Sequence, residues 1–296
     1  MASPMNPFDA TSNGGTHNDE SLRDSRGPSA EGVGSTEKPV VSIIIPTFNS
    51  EKGILAVLGS VDAQDYPSLE TIIVDNFSKD QTLQRIAEMN KKRIVIKYSS
   101  RRARARNVGA SVARGEFLYN VDSDMILSRS VVSACLEACR DGSADAVIVP
   151  EYSSGRGYWA ESAGMLKDIV RGVPGHEAAR FIRKSAFARI GGYDEMMEAG
   201  EDFDLHYRLL QDGARIRTVS APVIHDLDQI GLQELISKYR HYGGTIELFR
   251  IKHLPRLSGR RSLARLVLRK WRILARRPLQ AIGFLFLSVV EFINQR

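Results

Sequence analysis

Asp122 and Asp124 stand one residue apart, directly after the apolar run Phe117-Leu118-Tyr119-Asn120-Val121. At a strand end, side chains two positions apart point the same way, so this spacing aims both carboxylates to one side. Paired carboxylates suit a hard divalent cation, Mg²⁺ or Mn²⁺, which takes oxygen ligands and keeps positions open for substrate phosphates. An Asp-x-Asp alone also occurs in solvated turns, and it is the strand in front that gives this pair weight. His225 closes another apolar stretch, read as a strand over 216–224. Its neutral imidazole suits a metal that also holds Asp124, although a lone histidine is more often structural.

Glu201-Asp202 comes shortly after the glycine-containing run Gly191-Gly192-Tyr193-Asp194-Glu195. In a transfer reaction Asp202 would act as general base, taking the proton of an attacking hydroxyl. The competing reading is that Asp202 caps the helix expected over 203–211, where capping and the helix dipole both favour an acid. Arg106-Asn107, in a helix that begins after Arg101-Arg102-Ala103-Arg104, suits phosphate oxygens, or is part of a solvated basic face. Cys135 and Cys139 sit at helical spacing with no second Cys/His pair, so they read as small buried residues in a reducing compartment.

The elements that must position these groups are legible around them. Val40-Val41-Ser42-Ile43-Ile44-Ile45 is β-branched without alternation, as in a strand buried on both faces, and is stopped by Pro46. A helix is expected over 51–64, a strand over 70–74, a helix over 81–90, a strand over 94–98, a helix over 103–113 and a strand over 117–121. This rhythm predicts an α/β fold with a mostly parallel sheet and helices on both faces. Ligands of such sheets bind beyond the carboxyl ends of the strands. Pro46-Thr47-Phe48-Asn49, Asp75-Asn76-Phe77-Ser78 and Asp122-Ser123-Asp124 each follow a strand, so their loops should converge on one cleft.

Taken together, these segments resemble the family 2 glycosyltransferases of the GT-A fold. The resemblance covers roughly residues 40 to 245. It rests on Val41 to Asn49, Ile72 to Thr82, Ala105-Arg106-Asn107-Val108-Gly109, Asp122-Ser123-Asp124, and Gly191 to Glu195 leading into Glu201-Asp202. It implies an inverting, metal-dependent, hexosyltransferase-like enzyme with a nucleotide-sugar donor and Mn²⁺ or Mg²⁺. It further implies that Pro46, Thr47, Asn49 and Asp75 hold base and ribose, that Arg106 and Glu201 contact substrate, and that Asp202 is the base. Asp122 would face the ribose or diphosphate and the metal, with Asp124 and His225 as the other metal ligands. Phe77 departs from the small or charged residue common at its position.

Between the Asp-x-Asp and Gly191-Gly192, the segment 151–183 carries Tyr158-Trp159, and Trp159 is the aromatic candidate for the acceptor side. From Leu248 to Val290 there are eleven Lys/Arg and no Asp or Glu, leaving 30 of the 41 basic residues against all 35 acidic ones elsewhere. The body is therefore acidic, which argues against a nucleic-acid binder. An amphipathic helix is expected over 262–277, with Leu263, Val267, Trp271 and Leu274 on one face and Arg265, Arg269, Arg272 and Arg276 forming a basic stripe. The apolar run 281–290 is short beside the ~20 residues of a spanning helix. Residues 248–296 thus read as a C-terminal helical extension that associates with an anionic membrane surface, placing the protein peripherally on a cytosolic face with a lipid-linked or glycan acceptor. Residues 1–39 are polar and read as a disordered tail without a secretory signal, and 40–247 as the catalytic domain. Oligomeric state is open. Two other readings compete: a sugar-nucleotide nucleotidyltransferase, which would need a Gly-rich phosphate loop after the first strand, and a non-enzymatic membrane-binding scaffold of the same fold.

Overall fold

Val41–Thr47 forms a strand, β1, because its β-branched residues have apolar partners on both sides: Val41, Ile43 and Ile45 pack into one layer and Ile44 into the opposite one. The computed structural model describes residues 40–173, 176–197, 199–227, 230–253 and 265–294, and of 241–251 the backbone alone. After β1 come α1 (Ile54–Asp62), β2 (Leu69–Asp75), α2 (Thr82–Glu88), β3 (Ile94–Lys97), α3 (Arg102–Val112), β4 (Phe117–Asn120), β5 (Met125–Leu127) and α4 (Val131–Ala138). Next are β6 (Ala146–Ile148), β7 (Glu151–Ser154), α5 (Tyr158–Val170), β8 (Ala179–Arg183), α6 (Lys184–Arg189) and α7 (Glu201–Gln211). The chain continues with β9 (Ile216–Thr218), β10 (Val223–Asp226), α8 (Leu232–His253), α9 (Trp271–Arg276) and α10 (Pro278–Asn294).

The main sheet has the order β3-β2-β1-β4-β8-β6-β9. β1 to β4 run parallel, as the sequence rhythm predicts, and β8 alone runs against its neighbours β4 and β6. One face is covered by α1, α2 and α4 through Ile54, Val57, Leu58, Ile86, Val132 and Cys135. The other is covered by α3, α6 and α7 through Ala103, Ala110, Phe187, Leu205 and Leu209. Cys135 and Cys139 are buried free thiols in the first layer, and burial pushes the Cys139 thiol up to about 11. α3 lies close to the sheet because the positions it turns toward it are small, Ala103, Ala105, Gly109 and Ala110: a Cβ on Gly109 would stand 2.4 Å from Cγ2 of Ile44.

Three sequence expectations change in detail. Pro46 does not stop β1, which pairs with β2 as far as Thr47. On the β4 side the pairing ends at Ile44, so the missing Pro46 N–H leaves no ladder bond unmade. The stretch 216–224 is two strands in different sheets, because Ser220-Ala221-Pro222 interrupts it and Pro222 has no N–H to donate. β10 joins a small sheet of order β5-β10-β7, and this brings His225 opposite Met125.

At the C-terminal end, the single helix expected over 262–277 breaks at Lys270, between a helical segment at 265–269 and α9. Val267 and Leu274 turn inward against the cluster of Met165, Ile169, Ala281 and Phe284, whereas Trp271 is 59% exposed, so these residues do not share one face. Leu263 and the tail 1–39 lie outside the described residues. α10 packs along α5, and the C-terminal helices belong to the same compact unit as the sheet. Among the described residues, no helix is long and apolar enough to cross a membrane.

Candidate active site

The strand ends β1, β2 and β4 open onto a cavity of about 620 Å³, bordered by Pro46, Thr47, Phe48, Asn76, Arg101, Asp122, Asp124 and His225. Its volume is that of a small-molecule site. Behind the wall, Asp75 is fully buried and knits two loops together: it accepts from Thr47 Oγ1 at 3.1 Å and from the Ser78 backbone N–H at 2.9 Å. Asn49 does the same from the other loop, accepting from the Lys79 N–H at 2.9 Å, and adopts a left-handed φ of 49°. Thus Pro46 and Thr47 border the cavity, while Asn49 and Asp75 hold the loops that form it. Phe48 and Phe77 are 55% and 54% exposed on those same loops.

Below the cavity lies a charge network around Arg106, which is 0% exposed. Its Nη1 donates to Asp202 Oδ1 at 2.7 Å and to Glu201 Oε1 at 3.2 Å, and its Nη2 to Asp122 Oδ1 at 2.6 Å. A buried guanidinium needs such partners, and its planar fork serves several carboxylates at once. The ring of Tyr193 lies 5.0 Å from the guanidinium carbon, and its hydroxyl donates to Asp202 Oδ1 at 3.1 Å. Arg106 therefore organises the acids, and neither it nor Glu201 nor Asp202 is among the residues lining the cavity.

Arg180, on β8, is the residue that sequence reasoning missed. Its Nη2 lies 3.0 Å from Asp202 Oδ2, its Nη1 3.3 Å from Asp122 Oδ2, and its Nε donates to Glu151 Oε1 at 2.9 Å. Nη1 is buried without a hydrogen bond. No motif surrounds Arg180, and only the antiparallel placement of β8 beside β4 carries it to the site. Glu151 also pairs with Lys167 of α5, whose Nζ lies 2.6 Å from Nδ1 of His225. Nε2 of His225 in turn lies 2.8 Å from Oδ2 of Asp124. An ammonium only donates, so Nδ1 accepts from Lys167 and Nε2 carries the proton toward Asp124.

The Asp-x-Asp works differently from the strand-period expectation. β4 ends at Asn120, so both aspartates lie in the turn that follows, and they engage different partners. Asp122 turns to the two arginines and Asp124 to His225. Burial alone would raise the Asp122 carboxyl, but Arg106 and then Arg180 hold it well below the ordinary range. Burial opposes ionisation of Asp124 too, and the hydrogen bond from His225 outweighs it. Glu151 is held down at about 2 against its burial by Arg180 and Lys167. Glu201, by contrast, is pushed up by burial and by the neighbouring charge of Asp202.

Helix α7 begins at Glu201, with Gly200 in the left-handed conformation at the cap position and no side-chain cap. Asp202 is thus inside the helix and turned to the arginines, which removes the capping account of this residue. Trp159, on α5, lies 5.7 Å from the ring of Phe286 on α10 and does not border the cavity. For a divalent cation, Asp124 and His225 offer one carboxylate oxygen and one imidazole nitrogen at the cavity wall, a donor set that Mn²⁺ accepts. A cation there would replace the Nε2 proton, as metal binding to imidazole requires. No group of three or more His, Cys, Asp or Glu is arranged to hold a metal among the described residues, so the remaining ligands would come from substrate phosphates and water.

The profile of the family described as Glycosyl transferase family 2 matches residues 42–191. The chain is 38% identical over 99 residues to the poly(ribitol-phosphate) beta-N-acetylglucosaminyltransferase TarS of Staphylococcus aureus, a match taking in 31% of this chain and 17% of TarS. It is 24% identical over 235 residues to a dolichyl N-acetyl-alpha-D-glucosaminyl phosphate 3-beta-D-2,3-diacetamido-2,3-dideoxy-beta-D-glucuronosyltransferase of Methanococcus voltae, covering 69% of this chain and 71% of that one. The mannosyltransferase PcManGT of Pyrobaculum calidifontis, solved with GDP-Man and Mn²⁺, superposes with a TM-score of 0.58 at 18% identity over 88% of both chains. At that identity the likeness speaks for the fold, a GT-A fold with a mixed, mostly parallel sheet.

Proposed function

The chain belongs to glycosyl transferase family 2, and from that premise we propose that it moves a sugar from a nucleotide-sugar donor to an acceptor hydroxyl with inversion, Asp202 serving as general base. The observation that carries this reading is the division of acids at and behind one cavity: Asp124, on its wall, is paired with the imidazole of His225, and Asp202, behind the wall, is tied to the wall residue Asp122 through Arg106 and Arg180. The acceptor oxygen attacks the anomeric carbon from the side opposite the diphosphate, the bond to the diphosphate oxygen breaks, and the acceptor proton passes to Asp202. Arg106, Arg180 and Tyr193 fix the Asp202 carboxylate, so its orientation is set before substrate arrives. Thr47, Phe48 and Asn76 border the part of the cavity suited to the base and ribose.

When bound at Asp124 and His225, Mn²⁺ or Mg²⁺ supplies positive charge to the departing diphosphate. Arg101 and Arg102 also border the cavity and suit phosphate oxygens. The Methanococcus relative acts on a dolichyl-linked phosphate sugar by its name, which supports a lipid-linked or glycan acceptor here. The chain spans less than a fifth of TarS.

The test is release of nucleoside diphosphate from a panel of nucleotide sugars with Mn²⁺, Mg²⁺ or EDTA, with and without a lipid extract, and with Asp202→Asn as control. Metal-dependent release that the variant loses supports the assignment. Release that persists in Asp202→Asn removes Asp202 from the role of base.

A further inference from the structure

α10 has two unlike faces. Ala281, Gly283, Phe284 and Leu287 are buried, with Ala281 and Phe284 against Met165 and Ile169 of α5. The approach is close: a Cβ on Gly283 would stand 2.3 Å from Oγ of Ser162. On the other face Leu279, Ile282, Leu285, Phe286, Val289, Phe292 and Ile293 are each 40% to 66% exposed. Their spacing by three and four residues makes one continuous stripe along the helix. Single exposed apolar residues are ordinary, but a stripe of large ones is an interaction surface.

The adjoining helical residues share this character. Leu268 is 72% and Trp271 59% exposed, and Arg265, Arg269, Arg272, Arg276 and Arg277 are all exposed beside them. No Asp or Glu occurs from Leu248 to Val290.

We propose that α10 and the helical residues 265–276 seat this protein on an anionic bilayer surface, with the α10 stripe in the acyl boundary and the arginines among lipid phosphates. The 17 residues of α10 extend about 26 Å, short of a hydrocarbon core of about 30 Å, so the helix lies along the surface. Self-pairing through the stripe would bring two arginine-rich rims together with no acid between residues 248 and 290 to offset them, whereas lipid phosphates complement them. α5 connects this face to the site: it carries Ser162 against Gly283 of α10 and, further along, Lys167 against Glu151 and His225. Resting on the transferase reading, this places the His225 wall of the cavity one helix from the lipid, which fits a membrane-borne acceptor. The docking itself is independent of that reading.

The full chain is sedimented with vesicles of phosphatidylcholine alone and of phosphatidylcholine mixed with phosphatidylglycerol, at low and high salt. The expected result is binding to the anionic vesicles that salt weakens. Removing each arginine by Arg272→Gln or Arg276→Gln lowers affinity roughly fivefold, the equivalent of about 1 kcal/mol per surface cation. Ile282→Glu with Val289→Glu abolishes binding while leaving the thermal midpoint and nucleotide binding unchanged. Failure of the wild-type chain to bind anionic vesicles overturns the proposal, as does equal binding by the Ile282→Glu, Val289→Glu variant. If light scattering shows a dimer that this variant dissolves with vesicle binding intact, the stripe is covered by a second copy and the proposal is wrong. Nucleoside diphosphate release without lipid reads the transferase separately, so the two assignments fail independently.

Discussion

Nη1 of Arg106 lies 2.7 Å from Oδ1 of Asp202, although 96 positions separate them in the chain. The pair is the hinge between stability and chemistry here, because the same guanidinium also holds Glu201 and Asp122 and is itself closed off from water.

Replacing Arg106 by Met leaves those carboxylates buried without their common partner. Breaking a buried ion pair from one side costs about 3–5 kcal/mol. Urea unfolding of Arg106→Met should show a loss of that order, and a loss below about 1 kcal/mol would mean that Arg180 alone suffices to balance the acids.

Asp202→Asn retains an acceptor oxygen for Arg106 and Tyr193 but turns an amide nitrogen toward Arg180 Nη2, so donor binding should persist at some cost in stability. Turnover should fall by about 10²- to 10⁴-fold, the span of general-base catalysis. Initial rates together with calorimetric donor binding separate the two effects. A variant that keeps more than about a tenth of wild-type kcat contradicts the assignment.

His225→Ala removes the imidazole that faces Asp124 across 2.8 Å. The concentration of Mn²⁺ giving half-maximal donor binding should rise by at least about tenfold, while the metal-free protein loses some stability because Asp124 and Lys167 lose their partner. Titration of donor binding against Mn²⁺ checks this, and an unchanged half-point excludes His225 as a ligand.

Glu151 supplies a pH dependence. Its folded carboxyl titrates at about 2 against an ordinary value of 4.5, so its contribution is fully present above 4.5 and is lost as the pH falls toward 2. The difference corresponds to about 3 kcal/mol at neutral pH. Glu151→Gln should lose stability of that order at pH 7 and show a flatter decline between 4.5 and 2, measured by urea unfolding across that range. Parallel wild-type and variant curves would show that Arg180 and Lys167 do not hold this carboxyl.

Gly109→Ala tests the approach of α3 to the sheet. The added methyl would stand 2.4 Å from Cγ2 of Ile44, a core residue with little room to move. The expected cost is about 1–3 kcal/mol in chemical unfolding, and a neutral result would mean that the helix shifts freely.

The sequence by itself determined the central strands, because uninterrupted β-branched runs are stable only when apolar layers cover both faces. It also determined the convergence of the loops after β1, β2 and β4, since parallel strands carry their carboxyl ends to one edge of the sheet. Asp124 beside His225 was implied by the family resemblance, and it is the small sheet of β5, β10 and β7 that brings the two together. Tertiary structure alone decided how the charges are divided. Arg180 reaches Asp122 and Asp202 only because β8 is inserted antiparallel next to β4, and Lys167 reaches His225 only because α5 packs against β7 of the small sheet. Periodicity reads one element at a time, so it left Asp202 open between a base and a helix cap and placed Trp271 on the same face as Leu274. Packing removed the cap and the shared face, because buried guanidiniums must find carboxylates wherever the chain brings them, and a helix that meets its neighbour at Lys270 can break there and change the face it buries.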